Sequence, residues 1–231
     1  MNVDPKNPKD PDRDRFVLSK GHTSPGLYAV LAECGYFPRE ELEGFRHTGR
    51  MLQGHPDMKA IPGVDMSSGS LGQDLSVAVG MAISAKMTGK DYRVYAVMGD
   101  GEIQEGMIWE AAMLAGHRKL DNLCAVVDNN GLQIDGNIAD VNSPYPITDK
   151  FAAFNWNVIE ADAHDLDSLE AAFEAAKACK GKPSVIVQKS VKGKGVSFME
   201  NNAAWHGTAP NDEQYAVAMA DLEAIDKELE A

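Results

Sequence analysis

Short runs rich in β-branched and aromatic residues alternate with Ala-rich stretches through the second half of the chain. That alternation constrains the fold more than any other feature. The runs are Tyr92–Met98, Asn122–Val127, Trp156–Glu160 and Ser184–Gln188. Gly106–Lys119 and Leu166–Lys180 lie between them with helical patterning. Strands that alternate with helices are joined by crossovers rather than hairpins, so they pair in parallel. The expected fold is a three-layer α/β/α sandwich around a mostly parallel sheet. No linker or repeat interrupts the sequence, so residues 1–231 read as one domain.

The first half is less regular. Pro5, Pro8 and Pro11 keep residues 1–15 out of any regular helix or central strand. A helix begins near Thr23, Ser24 and Pro25 and ends at Gly35. A second, more polar helix is expected from Pro38 to about Thr48, followed by a Gly- and Pro-rich loop over residues 49–69. Leu71–Met87 is apolar enough for a buried helix, and Asp212–Leu229 closes the chain with another.

Composition excludes several functions. With 22 Lys and Arg against 35 Asp and Glu, the net charge is −13, which suits neither nucleic-acid backbones nor anionic membrane surfaces. An anionic ligand has to be met locally, by backbone N–H groups, a metal ion or a few cations. Three unpaired cysteines fit neither a disulfide framework nor a zinc site and suggest a reducing, cytoplasmic setting. No apolar run approaches the roughly 20 residues of a membrane span, and Met1–Pro8 has no apolar signal segment.

Two turns stand out at strand ends. Gly99-Asp100-Gly101 follows one run, and Asn129-Asn130 follows the next after 27 intervening residues. Parallel sheets bind ligands at the carboxyl ends of their strands. There the Asp100 carboxylate and the Asn130 amide oxygen could meet on one hard cation, and the glycines would let backbone approach a phosphate. Two ordinary turns explain the same residues, and from them alone both readings stay open.

The wider context carries a resemblance. Gly99-Asp100-Gly101 followed by Asn129-Asn130 resembles the thiamine diphosphate motif. The flanking Gly99–Gly106, Asp14–His22, Gly54-His55-Pro56-Asp57, Pro62-Gly63-Val64, Ser68–Gln73 and Trp205-His206-Gly207 segments resemble transketolases, in order and over almost the whole chain. The match is to the N-terminal, diphosphate-binding part, of the kind encoded separately from its C-terminal part. Relative to that family, the chain reads as starting inside the usual N-terminal segment.

The resemblance implies roles for individual residues. Asp100, Asn130 and the Leu132 carbonyl would hold Mg²⁺ (or Ca²⁺). Gly99, Gly101 and Glu102 would border the diphosphate, and Ile134 the cofactor rings. Gly69, Ser70 and Leu71 would line the aminopyrimidine, with Ser70 where the family usually has Pro. His22 and His206 would stand near the diphosphate and thiazolium, and His55 would reach donor-ketose hydroxyls. Glu105 and Glu110 would sit at a subunit interface linking two cofactor sites. Lys192-Gly193-Lys194-Gly195 would close over the cofactor. Blander readings remain for each: a helix-capping or solvated histidine, helix-start charge, and a flexible basic loop.

The implied activity is transfer of a two-carbon ketol unit from a ketose phosphate to an aldose phosphate, as in the pentose phosphate pathway. The implied partners are a C-terminal transketolase subunit carrying the pyrimidine domain and a catalytic glutamate, in a homodimer or heterotetramer. The isolated chain would then be inactive or weak. Three other readings stay open: a different thiamine enzyme such as deoxyxylulose phosphate synthase or a dehydrogenase E1 subunit; a cofactor- or partner-binding module without turnover; and a nucleotide-binding fold, which the missing Gly-x-Gly-x-x-Gly disfavours.

Overall fold

The computed structural model describes residues 1–229. In chain order the elements are β1 (Arg15–Leu18), α1 (Ser24–Glu33), α2 (Asp74–Thr88), β2 (Val94–Gly99), α3 (Gly106–His117) and β3 (Leu123–Asn129). A two-stranded hairpin follows, β4 (Leu132–Gln133) with β5 (Gly136–Asn137), then α4 (Ile138–Asn142) and α5 (Ile147–Ala153). The chain continues with β6 (Asn157–Asp162), α6 (Leu166–Ala178), β7 (Ser184–Lys189) and α7 (Asp212–Leu229).

Five strands form one parallel sheet in the order β1-β2-β3-β7-β6. Its residues alternate faces with the period of two that a pleated strand imposes. Val94, Ala96 and Met98, with Leu123, Ala125 and Val127, pack against α2, α3 and α5. Tyr95, Cys124, Val126 and Ile186 face the other way, onto Ala172 and Ala176 of α6. Small side chains on α2 and α3 (Ala78, Ala82, Ala85, Ala111, Ala112, Ala115) let helices and sheet approach closely. Trp156 closes the larger layer, donating its indole N–H to the Ala112 carbonyl at 2.8 Å. A separate cluster of Tyr28, Leu31, Phe37, Leu52, Ile61 and Val64 holds the irregular first half together.

The four expected strands are present, each shifted by one or two residues. Two expectations are corrected, and one strand is additional to those expected. Phe16-Val17-Leu18 belongs to that fifth, edge strand, β1, whose four residues are too few to show alternation. The Pro38–Thr48 helix is only a 3-10 turn over Arg39–Gly44. Beyond it Phe45 is extended, Arg46 takes a positive φ of 60°, and Arg50 packs where a Gly44 side chain would lie. The Leu71–Met87 helix starts three residues late, at Asp74, because Gly69 and Gly72 adopt positive φ and carry the chain past the sheet as a loop.

The Pro-rich opening forms no regular element but is anchored. The buried Arg13 guanidinium makes a two-pronged ion pair with Asp65. Asp65 also accepts the Phe16 N–H at 2.8 Å. Asp14 accepts the N–H groups of Asn2 and Arg93. Bidentate, charge-assisted contacts of this kind fix geometry well, and here they orient β1 and hence the Ser19–His22 turn that follows it.

Candidate functional site

The strand order brings the carboxyl ends of β1, β2, β3 and β7 side by side, and the sequence motifs lie at those ends. After β1 comes Ser19-Lys20-Gly21-His22; after β2, Asp100-Gly101; after β3, Asn130; after β7, Ser190–Lys192. A fifth segment, Ser68–Gly72, approaches from the side. It is pressed against Gly21 so closely that a side chain there would collide with Ser68.

Asp100 and Asn130 are joined through the backbone. Asp100 is 2% exposed, and its Oδ2 accepts the Gly131 N–H at 2.6 Å while Oδ1 accepts the Gly101 N–H at 2.8 Å. The Asn130 amide oxygen accepts the Leu132 N–H at 3.0 Å. Burial pushes the Asp100 carboxyl above its ordinary range, against the pull of those two N–H groups. A cation at this point would relieve the burial penalty. The available donors are one carboxylate, one amide oxygen and a backbone carbonyl, all hard oxygens suited to Mg²⁺ or Ca²⁺. Among the described residues no group of three or more His, Cys, Asp or Glu could hold an ion. A metal bound here therefore needs further oxygens from an anion or water, and the residues fit an ion that arrives with a diphosphate.

Cations gather around that point despite the acidic chain. Lys20 forms an ion pair with Asp128, and Asp128 also accepts from Ser190. Burial holds the Asp128 carboxyl up while Lys20, the largest opposing influence, brings it below its usual range. Lys192 is lowered by burial and by Lys20. The His22 and His206 rings stack, with centroids 5.5 Å apart and planes 28° from parallel. His206 is lowered by burial and by Lys192, and its buried Nδ1 has no hydrogen-bond partner among the described residues. His22 is open to solvent on one side, yet the burial of its inner edge, followed by His206, Lys20, His55 and Lys192, lowers it to about 4. Both rings are therefore neutral near pH 7 and can accept as well as donate protons.

The apolar residues assigned to the cofactor are exposed where a ring system could cover them: Ile134 is 70% exposed and Leu71 43%. The next two backbone positions before Leu71, Ser70 and Gly69, are also exposed, and Gly69 lies against His55. A side chain at Gly101 would lie against Gln133, 3.4 Å from its Cβ, and against Ile138. Glu105 is exposed at the N-terminus of α3, and its stem fills the space a Gly72 side chain would need, 2.5 Å from the ideal Cβ position. Glu110 is exposed on the same helix, near exposed Met107, Met113 and Leu114. The structure thus brings Lys20, His22, Asp100, Gly101, Asn130, Leu132 and His206 to one place, with Gly69–Leu71 and His55 along its rim. Glu102 differs: its carboxylate points inward and is 3% exposed.

Sequence reasoning missed four participants. Lys20 and Asp128 are signalled only by their position at strand ends. Asp74, at the start of α2, is 1% exposed with Oδ2 unpartnered; burial and the charge of Glu102 raise it to about 7. Arg46 runs against Gly54, next to His55, where a Gly54 side chain would meet its Nη2 at 2.8 Å. Its guanidinium is exposed and has no ion-pair partner among the described residues.

Residues 1–224 match a family described as transketolase, thiamine diphosphate binding domain. The chain is 48% identical over 223 residues to the 6-deoxy-6-sulfo-D-fructose transketolase subunit of Clostridium sp. (strain MSTE9), covering 96% of this chain and 81% of that one. It is 42% identical over 228 residues to one of the subunits of the apulose-4-phosphate transketolase from Phocaeicola vulgatus, covering 98% and 81%. The solved transketolase of Campylobacter jejuni superimposes with a TM-score of 0.91 at 34% identity, over 96% of this chain and 36% of that one. The chain thus spans little more than a third of the length of that solved enzyme.

Proposed function

This chain belongs to the transketolase family, as a thiamine diphosphate-binding domain, and from that premise we propose that it is one subunit of a split transketolase. In this reading it binds thiamine diphosphate through Mg²⁺ and works with a separate C-terminal subunit to move a two-carbon ketol unit between sugars. Residues 1–231 act as one domain. The observation that carries the reading is the Asp100–Gly131 hydrogen bond of 2.6 Å, which couples the metal-ligand turns of two neighbouring parallel strands. Relatives named as transketolase subunits support the need for a partner chain.

When bound, thiamine diphosphate supplies the carbon nucleophile and electron sink of ketol transfer. The chain's residues bind, orient and move protons. Asp100, Asn130 and the Leu132 carbonyl hold the cation, and Lys20 and Lys192 offset the remaining diphosphate charge. Gly69, Ser70, Leu71 and Ile134 cover the ring systems and exclude water. His22 and His206, held neutral, each present one ring N–H donor and one ring-nitrogen acceptor to the donor and acceptor oxygens, and so can bind hydroxyls and assist proton transfer between them. His55 hydrogen-bonds sugar hydroxyls at the rim. Arg46, beside it and without an ion-pair partner among the described residues, receives the anionic end of the sugar, a phosphate or a sulfonate. Glu105 and the exposed apolar face of α3 meet a second subunit.

The test is turnover with candidate C-terminal subunits, using ketose phosphates and a sulfonated ketose as donors and pyruvate as control. Ketol transfer only in the mixture, with pyruvate inert, is the expected result. Pyruvate turnover would assign a different thiamine enzyme. Cofactor binding without turnover in any mixture would make the chain a binding module.

A further inference from the structure

One carboxylate joins three walls of the cleft. Glu102 Oε1 accepts the Ser19 hydroxyl and the Gly72 N–H, the latter at 3.2 Å. Its Oε2 accepts the Gly99 N–H at 3.1 Å. The three donors come from distant parts of the sequence. Ser19 directly follows β1 and starts the turn to His22. Gly72 directly follows the Gly69–Leu71 segment. Gly99 ends β2, immediately before Asp100. Ser19 is 1% exposed and Glu102 3%, so the contacts are buried and solvent cannot replace them. Gly72 has a positive φ and is hemmed in by the Glu105 stem, so its N–H is aimed by backbone that has little freedom to turn elsewhere.

We propose that Glu102 is a positioning residue that sets the relative placement of the His22 turn, the Gly69–Leu71 segment and the Asp100 turn, and that it does not touch the cofactor. The inference rests on the proposed function and deepens it. Its physical basis is that hydrogen bonds to a buried charge are shorter and stronger than neutral ones, and that a binding site stays productive only while its supporting shell holds it within about half an ångström. Replacing one oxygen by an amide N–H₂ sets a donor against a donor. It therefore releases at least one wall without changing side-chain volume.

The test compares wild type, Glu102→Gln and the milder Ser19→Ala in the full chain. Two quantities are read: thiamine diphosphate affinity by calorimetry with Mg²⁺ present, and backbone amide hydrogen exchange. Exchange at Gly72 and Gly99 is expected to accelerate at least tenfold in Glu102→Gln, while amides in β3 and β7 stay protected, and affinity is expected to fall at least tenfold. Ser19→Ala should move both readouts the same way by less, and it carries the test if Glu102→Gln does not fold. Faster exchange with unchanged affinity would overturn the positioning role. Lost affinity with unchanged exchange would also overturn it, by making Glu102 a direct contact. If wild type takes up no thiamine diphosphate even with the C-terminal subunit present, the proposed function fails. The exchange arm then decides for Glu102: local loss of protection supports the strut, and unchanged or uniformly lost protection refutes it.

Discussion

Asp74→Asn isolates the strain that two acids create under the cleft. Asp74 is 1% exposed, its Oδ2 has no partner among the described residues, and burial together with Glu102 raises its carboxyl from 3.8 to about 7. In an unfolded chain the group ionises near its ordinary value. Between those two points the folded state binds the proton and the unfolded state does not, so stability falls as pH rises across that interval and levels off above it. At about 1.4 kcal/mol per tenfold difference in proton affinity, the full span is about 4 kcal/mol at most. Between about pH 5.5 and pH 8.5, a window above the pI of 4.8 that limits precipitation, about 2 kcal/mol of it is readable. The amide cannot ionise and removes this slope. Its unsatisfied N–H₂ costs about 1–3 kcal/mol at every pH, so the informative quantity is the difference between the two pH values. Denaturant melts of wild type and variant at both pH values give it directly. The variant is expected to gain about 2 kcal/mol on wild type between them, or about 4–8 °C in Tm. Parallel pH profiles would refute the reasoning.

Three further outcomes follow from the site. Lys192→Met should raise the His22 ring pKa, since Lys192 is among the charges that lower it; NMR titration reads the shift, and an unmoved His22 would place Lys192 elsewhere. Gly72→Ala combines a left-handed backbone with a collision against Glu105. It should destabilise the chain by about 1–3 kcal/mol and weaken thiamine diphosphate binding, both measurable by melting and calorimetry. Arg46→Leu in the reconstituted enzyme should raise KM for anionic sugars at least tenfold with cofactor affinity unchanged; an unaltered KM would remove Arg46 from the substrate end.

Much of the architecture was legible because β-rich runs and Ala-rich helices alternate. Each core strand carries enough apolar residues to declare itself. β1 was not legible, since Arg15–Leu18 contains only three apolar residues at an edge. The 38–48 region reads as helical by composition, but Gly44 and the left-handed Arg46 end the turn early. Gly69 and Gly72 likewise delay α2, and this delay gives the cleft its side wall. The pairing of Asp100 with Asn130 was visible because both residues follow strands that the sheet sets side by side. Glu102 was visible as a charge near that motif, but only the structure reveals that it faces inward. Asp74 and Arg46 depend on contacts across 28 residues (Asp74 to Glu102) and 8 residues (Arg46 to Gly54), which no local pattern encodes.

In the proposed function, Asp100 and Asn130 bring a divalent cation and a diphosphate together at the ends of β2 and β3. Calorimetric titration of thiamine diphosphate into wild type and Asp100→Ala, with and without Mg²⁺ and in the presence of the C-terminal subunit, tests it most directly. Binding is expected to require Mg²⁺ in wild type and to be lost in Asp100→Ala. Binding that is indifferent to Mg²⁺, or that survives the loss of Asp100, would contradict it.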